Sequence, residues 1–311
     1  MGKLLLAALA ATSTVLCVGT ADARPRWTET RAKAWYASQP WLVGANYTPA
    51  SAINQLEMWQ AATWDPKRID HEFGLAQAIG MNTMRVFLHD QLWVQDPEGF
   101  KRRIDAFLTI AHAHGIRPLF VLFDSCWDPD PRLGPQHPPI PGVHNSGWVQ
   151  GPGLPGLRDQ SRYPAYKAYV QGIVGAFAKD DRILGWDVWN EPDNGADQYK
   201  GQEGKEPLVR ALLAQAFDWA RDADPSQPLT SGVWQHDDWT PVASCRRWRR
   251  SSWASPMSSA STITAGPRRS RRACASCCRM TGRSCAPNIW RAATVRRSTA
   301  RCRSPSATMS R

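Results

Sequence analysis

Residues 183–192 of this 311-residue chain read ILGWDVWNEP. The first seven of these residues form a short apolar run, and such runs are typical of strands in a parallel sheet. The run closes on Asn190, Glu191 and Pro192, which place polar side chains at its end. We therefore predict a strand over 183–189 with chemically useful groups directly after it.

Four further apolar runs predict strands over 42–47, 83–88, 118–123 and 229–234. Amphipathic segments lie between the runs, and this alternation is typical of repeated βα units around a parallel sheet. Three of the segments carry apolar residues at helical spacing, which predicts core-facing helix stripes. The stripes are Phe100, Ile104, Phe107, Leu108 and Ala111; then Tyr169, Val170, Ile173, Val174 and Phe177; then Leu208, Leu212, Ala216 and Ala220.

The segment 124–164 is too long and too rich in proline and glycine for an ordinary connection. It follows the third predicted strand at the end where α/β barrels build their sites, so we predict a loop on the substrate side. Disorder is the alternative interpretation. Trp127, Trp148 and Tyr163 favour an ordered loop because they offer anchors that disordered linkers lack.

The amino terminus predicts export of the protein. Lys3 precedes an apolar run over 4–18, and small residues at Ala21 and Ala23 fit a signal-peptidase site. We predict a signal peptide over 1–23 and a secreted or periplasmic protein. A membrane anchor is the alternative, but the run is shorter than the roughly 20 residues that a span needs.

A sharp change of composition divides the rest of the chain. Residues 244–311 contain 16 Arg, six of the eight Cys, and no Lys, Asp or Glu. The net charge of the whole chain is +11, so residues 1–243 carry a net charge of −5 and the basicity belongs to the tail. We predict a folded domain over 24–243 and a disordered tail over 244–311. The 13 Trp before the tail exceed what packing requires and favour stacking against sugar rings.

The end of the fourth predicted strand has the chemistry of a glycosidase. An acid that protonates a glycosidic oxygen must be held rigidly and stay protonated near neutral pH, and Glu191 beside tryptophan rings suits that task. Asn190 would donate its amide to the sugar 2-hydroxyl, a contact that strengthens in the transition state. The alternative interpretation is that Asn-Glu-Pro at 190–192 only ends a strand and has no catalytic role.

The chain resembles the cellulase-like glycoside hydrolase family five over about residues 41–239. The motif at residues 190–192 after a strand carries most of the resemblance. The motifs GANY at 44–47, MRVF at 84–87 and WQH at 234–236 also fit it. The resemblance implies a (β/α)8 TIM barrel, of which this chain supplies only about the first five βα units.

That family implies retaining hydrolysis of a β-linked polysaccharide or oligosaccharide, with no cofactor. By the resemblance, Glu191 is the acid/base, Asn190 is its neighbour in the site, and Arg85 orients the nucleophilic carboxylate. An ordinary ion pair inside the barrel is the other interpretation of Arg85. We favour the functional interpretation, because a buried arginine needs a carboxylate partner and the absent nucleophile is the natural one. We expect a monomer with no nucleic-acid or membrane partner.

The substrate-binding candidates are Asn46, Tyr47, Trp127, Trp234 and His236. The two tryptophans could equally stack on sugars or pack in the core. His236 begins a His-Asp-Asp string, but consecutive residues of one loop rarely converge on an ion, so we predict no metal site. His89 follows the second strand and could line the cleft or cap a helix.

The second half of the chain lacks a carboxyl group that the glycosidase interpretation requires. A retaining mechanism needs a second carboxyl about 5 to 5.5 Å from the first. The resemblance places it at the end of strand seven, but no Glu follows Glu206 and the last acidic residue is Asp238. We therefore expect this chain to be inactive.

A lost reading frame near residue 244 would explain both the deficit and the tail. GC-rich codons read out of frame yield Arg, Ala, Ser, Pro and Cys and suppress acids and Lys. If the true reading frame lies one base back, the codons for residues 260–264 permit the string Ser-Phe-His-Asn-Tyr. In the same frame, the codons for residues 286–290 permit Cys-Thr-Glu-Tyr-Met. The second string would restore the missing Glu.

Two other functions remain open at the level of sequence. A non-catalytic carbohydrate-binding barrel would keep the cleft without the chemistry. A basic tail that binds an anionic polymer would fit the arginines, although evolved basic arms usually mix Lys with Arg. A zinc site among the tail cysteines has suitable spacing for one pair only.

Overall fold

The computed structural model describes residues 24–194, 201 and 203–234. Within these ranges the chain forms one parallel sheet flanked by helices. The strands are β1 (Gly44–Tyr47), β2 (Thr83–Phe87), β3 (Arg117–Asp124), β4 (Gly185–Asn190) and β5 (Leu229–Gly232). The helices are α1 (Glu29–Ala37), α2 (Gln55–Trp59), α3 (Pro66–Ala78), α4 (Asp90–Gln95), α5 (Pro97–Ala113), α6 (Leu154–Arg158), α7 (Tyr163–Ala176) and α8 (Lys205–Asp222).

Each strand pairs in parallel with the next strand along the chain, in the order β1-β2-β3-β4-β5. A doubly wound sheet would reverse its strand order at a switch point, whereas a barrel adds every strand on the same side. The order therefore confirms the predicted α/β class and the arrangement of the first five βα units of a (β/α)8 barrel.

The predicted strands are confirmed, with shifts of one to two residues at most ends. The fifth strand ends at Gly232 instead of residue 234, because the backbone N–H of Trp234 donates to Asp193 Oδ1 at 2.8 Å and leaves the sheet ladder. The fourth strand continues to Asn190, with an irregular register against β5 between Asp187 and Asn190. That irregularity lies next to the predicted site.

The predicted helix stripes form the core between the sheet and the helix layer. All five predicted residues of α5 are fully buried, and Phe107 at the centre of that stripe meets Phe120 of β3 at 5.9 Å between ring centroids. The helix begins after Asp96, whose Oδ1 accepts from the N–H of Gly99 at 2.8 Å. Local sequence signals thus set both the face and the start of the helix.

The segment 124–164 is ordered and folds back over the carboxyl end of the sheet. Isolated bridges join Asp124 to Gly151 and Asp128 to Val149. The indole N–H of Trp148 donates to Asp124 Oδ2 at 2.6 Å, so one predicted anchor ties the loop to the end of β3. Disorder of this segment, the alternative interpretation of its sequence, is therefore wrong.

The predicted signal peptide (1–23) and the predicted tail (244–311) both lie outside the described residues. Within the described ranges, no helix has the length and apolar character needed to cross a bilayer.

Candidate active site

Glu191 lies directly after β4, where the chain turns away from the sheet. Its backbone adopts the left-handed region with φ of 47°, which is uncommon for a residue other than glycine. The N–H of Glu191 donates to the carbonyl oxygen of Gly232 in β5 at 2.6 Å. Backbone strain of this kind concentrates at functional sites, where the surrounding structure holds it in place.

The carboxyl group of Glu191 is half-buried and accepts two hydrogen bonds on one oxygen. Cys126 Sγ donates to Oε2 at 3.0 Å, and the amide of Asn194 donates to the same oxygen at 2.8 Å. Burial raises the pKa of Glu191, and these two hydrogen bonds offset part of the increase. A carboxyl group with a raised pKa can hold a proton nearer to neutral pH and give it to a substrate.

The side-chain amide of Asn190 is fixed from both ends. Its Oδ1 accepts from Arg85 at 2.8 Å, and its Nδ2 donates to Asp124 Oδ1 at 2.9 Å. The same nitrogen lies 3.3 Å from Cys126 Sγ, a weak acceptor. A sugar hydroxyl could replace the thiol as the acceptor. The predicted contact of Asn190 with a sugar 2-hydroxyl therefore requires only that the weak interaction with the thiol be broken.

Arg85 is bound by a carboxylate that the sequence prediction did not choose. Its Nε donates to Asp187 Oδ2 at 3.0 Å, a second donor of the guanidinium contacts the same oxygen, and both side chains are largely buried. Asp187 stands on β4 and thus supplies the partner that was expected from the missing nucleophile. Orientation of a nucleophilic carboxylate by Arg85 stays a prediction, because no residue after 234 belongs to the described part of the chain.

The predicted sugar contacts fall into two groups. Asn46 pairs in register with Arg85 and is exposed, so it lies on the same face of the sheet as the cluster around Glu191. Tyr47 lies on the opposite face, where it is buried against Phe73 and its hydroxyl donates to Glu72 at 2.9 Å. The structure therefore does not bring Tyr47 into the cleft, because neighbouring side chains of a strand alternate between faces.

The predicted aromatic contacts differ in exposure. Trp234 is 48% exposed just beyond β5. Trp127 is half-buried, adopts φ of 70°, and meets His144 edge-on at 5.4 Å between ring centroids. His236 lies outside the described residues. His89 is buried and caps α4, with its ring accepting the N–H of Gln91 at 3.2 Å.

Sequence reasoning did not assign Asp124, Cys126, Asp187 and Asn194 to the site. Asp187 carried a usable signal, because it is a charged residue inside an otherwise apolar strand. The others reach Glu191 or Asn190 only through the pairing of β3 with β4 and through loop geometry. Across the described part of the chain, no cluster of three or more His, Cys, Asp or Glu side chains has the arrangement of a metal site.

No protein-family model matches this chain, and no curated protein matches it. Among solved structures, an exo-β-1,4-mannosidase from an Opitutaceae bacterium (strain TAV5) is similar over 62% of this chain and 31% of its own, with 24% identity and a TM-score of 0.44. A β-1,4-mannanase from the sea hare Aplysia kurodai is similar over 63% of this chain and 61% of its own, with 19% identity and a TM-score of 0.44.

An endo-1,4-β-mannanase from Eisenia fetida is similar over 65% of this chain and 61% of its own, with 14% identity and a TM-score of 0.44. This chain thus spans less than two thirds of the length of each of these three proteins. The parallel pairing and the sequential strand order of the chain itself define its fold.

Proposed function

We propose that residues 24–234 are the amino-terminal part of a secreted glycosidase, similar to family five, that hydrolyses a β-linked polysaccharide by a retaining double displacement. Glu191 is its acid/base. The observation that carries the proposal is the carboxyl group of Glu191, which stands half-buried after β4, beside Asn190, with its pKa raised by burial.

In the first step, Glu191 gives its proton to the glycosidic oxygen while a second carboxylate attacks the anomeric carbon and forms a glycosyl-enzyme. In the second step, the Glu191 carboxylate removes a proton from water, which attacks the anomeric carbon, breaks its bond to the second carboxylate and releases the sugar. The hydrogen bonds from Cys126 and Asn194 hold the Glu191 oxygen that does not need to face the substrate.

The carboxylates closest to this network are already engaged in structural contacts. Asp187 is 2% exposed and holds Arg85, and Asp124 is also 2% exposed and accepts from Trp148 and Asn190. Neither presents an open oxygen to a sugar ring. This supports a nucleophile from a later strand, and we propose that the frame break near residue 244 removed it from this chain.

The test compares the chain as it stands with a version whose frame is restored after residue 243, on β-mannan, β-glucan and xylan. We expect the restored protein to hydrolyse one of these with retained anomeric configuration, and the present chain to show no activity above its Glu191→Gln variant. Glu98→Gln is the matched control, since Glu98 is an exposed residue in the first turn of α5.

A second measurement separates the role of Glu191 from general damage. In the restored protein, Glu191→Ala should cleave an activated aryl glycoside slowly, and azide should accelerate turnover and yield a glycosyl azide of retained configuration, because azide needs no general base. Sugar binding without hydrolysis by the restored protein would favour the non-catalytic barrel. Normal turnover by the present chain, abolished by Glu191→Gln, would refute the frame proposal.

A further inference from the structure

Three consecutive residues at the end of β3 contact three consecutive residues at the end of β4. We call residues 124–126 the β3 turn. The side chains of Asp124 and Cys126 contact Asn190 and Glu191, respectively. Ser125 between them accepts a hydrogen bond from the indole of Trp189. The contacts are Asn190 Nδ2 to Asp124 Oδ1 at 2.9 Å, Trp189 Nε1 to Ser125 Oγ at 2.8 Å, and Cys126 Sγ to Glu191 Oε2 at 3.0 Å.

Asp124 decides which way the Asn190 amide points. Asp124 accepts from the Trp148 indole and the Cys126 N–H as well as from Asn190, and these hydrogen bonds offset part of the rise in its pKa that burial causes. A carboxylate that accepts in this way only accepts hydrogen bonds, and a guanidinium only donates them. Asn190 stands between Asp124 and Arg85, so its nitrogen must face the first and its oxygen the second. A flipped amide would place two acceptors together at Asp124 and two donors together at Arg85.

Cys126 is placed by Asp124 and in turn holds Glu191. The backbone N–H of Cys126 donates to Asp124 Oδ1 at 3.0 Å, which fixes the turn. Burial and the neighbouring carboxylates raise the pKa of the Cys126 thiol, so the group stays protonated and keeps an S–H to donate. Lys205 Nζ donates to the carbonyl oxygen of Ser125 at 2.9 Å and braces the turn from the first residue of α8.

We propose that Asp124 and Cys126 are positioning residues for the Glu191 acid/base: Asp124 fixes the Asn190 amide, and Cys126 holds the Glu191 carboxyl group through an S–H hydrogen bond. The inference deepens the proposed function and rests on it for the role of Glu191.

The two residues act on the pKa of Glu191 in opposite directions. The hydrogen bond from Cys126 stabilises the carboxylate and lowers the pKa, whereas the negative charge of Asp124 raises it. The other charged groups that act on this network are Arg85 of β2, which lowers the pKa of Glu191, and Lys205 of α8, whose own pKa the Glu191 charge raises. If Asp124 and Cys126 had only a structural role, their variants would change the free energy of unfolding without shifting the pKa of Glu191 in opposite directions.

The experiment is a carbon-13 NMR titration of the full chain with labelled glutamate carboxyl groups, in which Glu191→Gln assigns the Glu191 signal. We expect Cys126→Ala to raise the pKa of Glu191, Cys126→Ser to keep it at or below the wild-type value, and Asp124→Asn to lower it. Val174→Ala removes part of a fully buried side chain in α7 and should leave the pKa unchanged.

Shifts in the same direction for Cys126→Ala and Asp124→Asn would overturn the proposal, as would identical titrations of Cys126→Ala and Cys126→Ser. If Asp124→Asn does not fold, the alanine and serine variants of Cys126 decide the question alone. The titration needs no turnover. Opposite shifts together with an inactive frame-restored protein would therefore refute the proposed function and leave the positioning roles intact.

Discussion

The guanidinium of Arg85 on β2 reaches over the intervening β3 to the carboxylate of Asp187 on β4, with Nε and Oδ2 3.0 Å apart. The two side chains are 13% and 3% exposed. The pair therefore links β2 to β4 across β3 on the face of the sheet that carries Asn190, and Arg85 has a carboxylate partner within the described chain.

Breaking this pair should be costly. Arg85→Met leaves Asp187 charged and buried, and we expect a loss of about 3 to 5 kcal/mol in the free energy of unfolding, measured by urea denaturation. The double variant Arg85→Met with Asp187→Leu should recover most of that loss. Arg132→Met, which removes an exposed partner of Asp130, is the control and should change nothing measurable. An unchanged free energy of unfolding in Arg85→Met would contradict a structural role of the pair.

Gly44 in β1 should not tolerate a side chain. A Cβ at this position would overlap the carbonyl oxygen of Thr83, its register partner in β2. We expect Gly44→Ala to destabilise the protein by more than about 2 kcal/mol, because strand backbone must move. Gly175→Ala in α7 is the matched control, since its Cβ would only touch Ala223 at 4.0 Å. That variant should gain about 0.5 to 1 kcal/mol, and the ranking of the two midpoints in urea checks the prediction.

Lys205 should make stability rise with pH in the alkaline range. Burial lowers its pKa from 10.5 to about 8, so between these values the unfolded chain binds more protons than the folded one. Below pH 8 the folded protein bears the full free-energy cost of burying the charged Lys205 side chain. This cost falls as the pH rises from 8 to 10.5, because Lys205 of the folded protein is then neutral. Wild type should therefore gain about 3 kcal/mol relative to Lys205→Met over this window.

Urea denaturation at several pH values from 7 to 10.5 measures this difference. The buried tyrosines contribute equally to both proteins and cancel. Lys179→Met, which alters an exposed lysine paired with Asp224, should follow the wild-type profile. A constant difference between wild type and Lys205→Met would contradict the lowered pKa.

Trp234 should contribute to sugar binding. It is 48% exposed beyond the carboxyl end of β5, on the side of the sheet where Glu191 lies. We expect Trp234→Ala to weaken binding of a β-1,4-linked hexasaccharide by about tenfold, or ~1.4 kcal/mol, in a fluorescence titration. Trp41→Ala is the control, since Trp41 is 69% exposed but precedes β1 at the opposite end of the sheet. Equal losses for both variants would count against a stacking role.

The fold was predictable because its signals are local. The stripe from Phe100 to Ala111 is one face of a single helix, and each predicted strand is one continuous apolar run. The strand ends were less predictable. Trp234 belongs to the same apolar run as β5, and only its contact with Asp193, 41 residues away, takes it out of the sheet.

From local patterns alone, the site was predictable where it is contiguous in sequence, whereas Arg85 and Asn46 were named from the family resemblance. Glu191 and Asn190 are adjacent and follow a clear strand. Cys126 meets Glu191 across 65 residues, through a register between β3 and β4 that no local pattern specifies. Tyr47 is the opposite case: strand alternation already implied that Asn46 and Tyr47 cannot both face one cleft, and the motif-based assignment passed over that constraint.

The sequential strand order has a consequence for biosynthesis. Because each strand from β2 to β5 pairs with the one made just before it, the sheet can grow on the ribosome without waiting for distant segments. The contacts of Glu191 with Cys126, Asn194 and Gly232 are complete once β5 has emerged. A translational error after that moment comes too late to alter any of the residues that hold the glutamate.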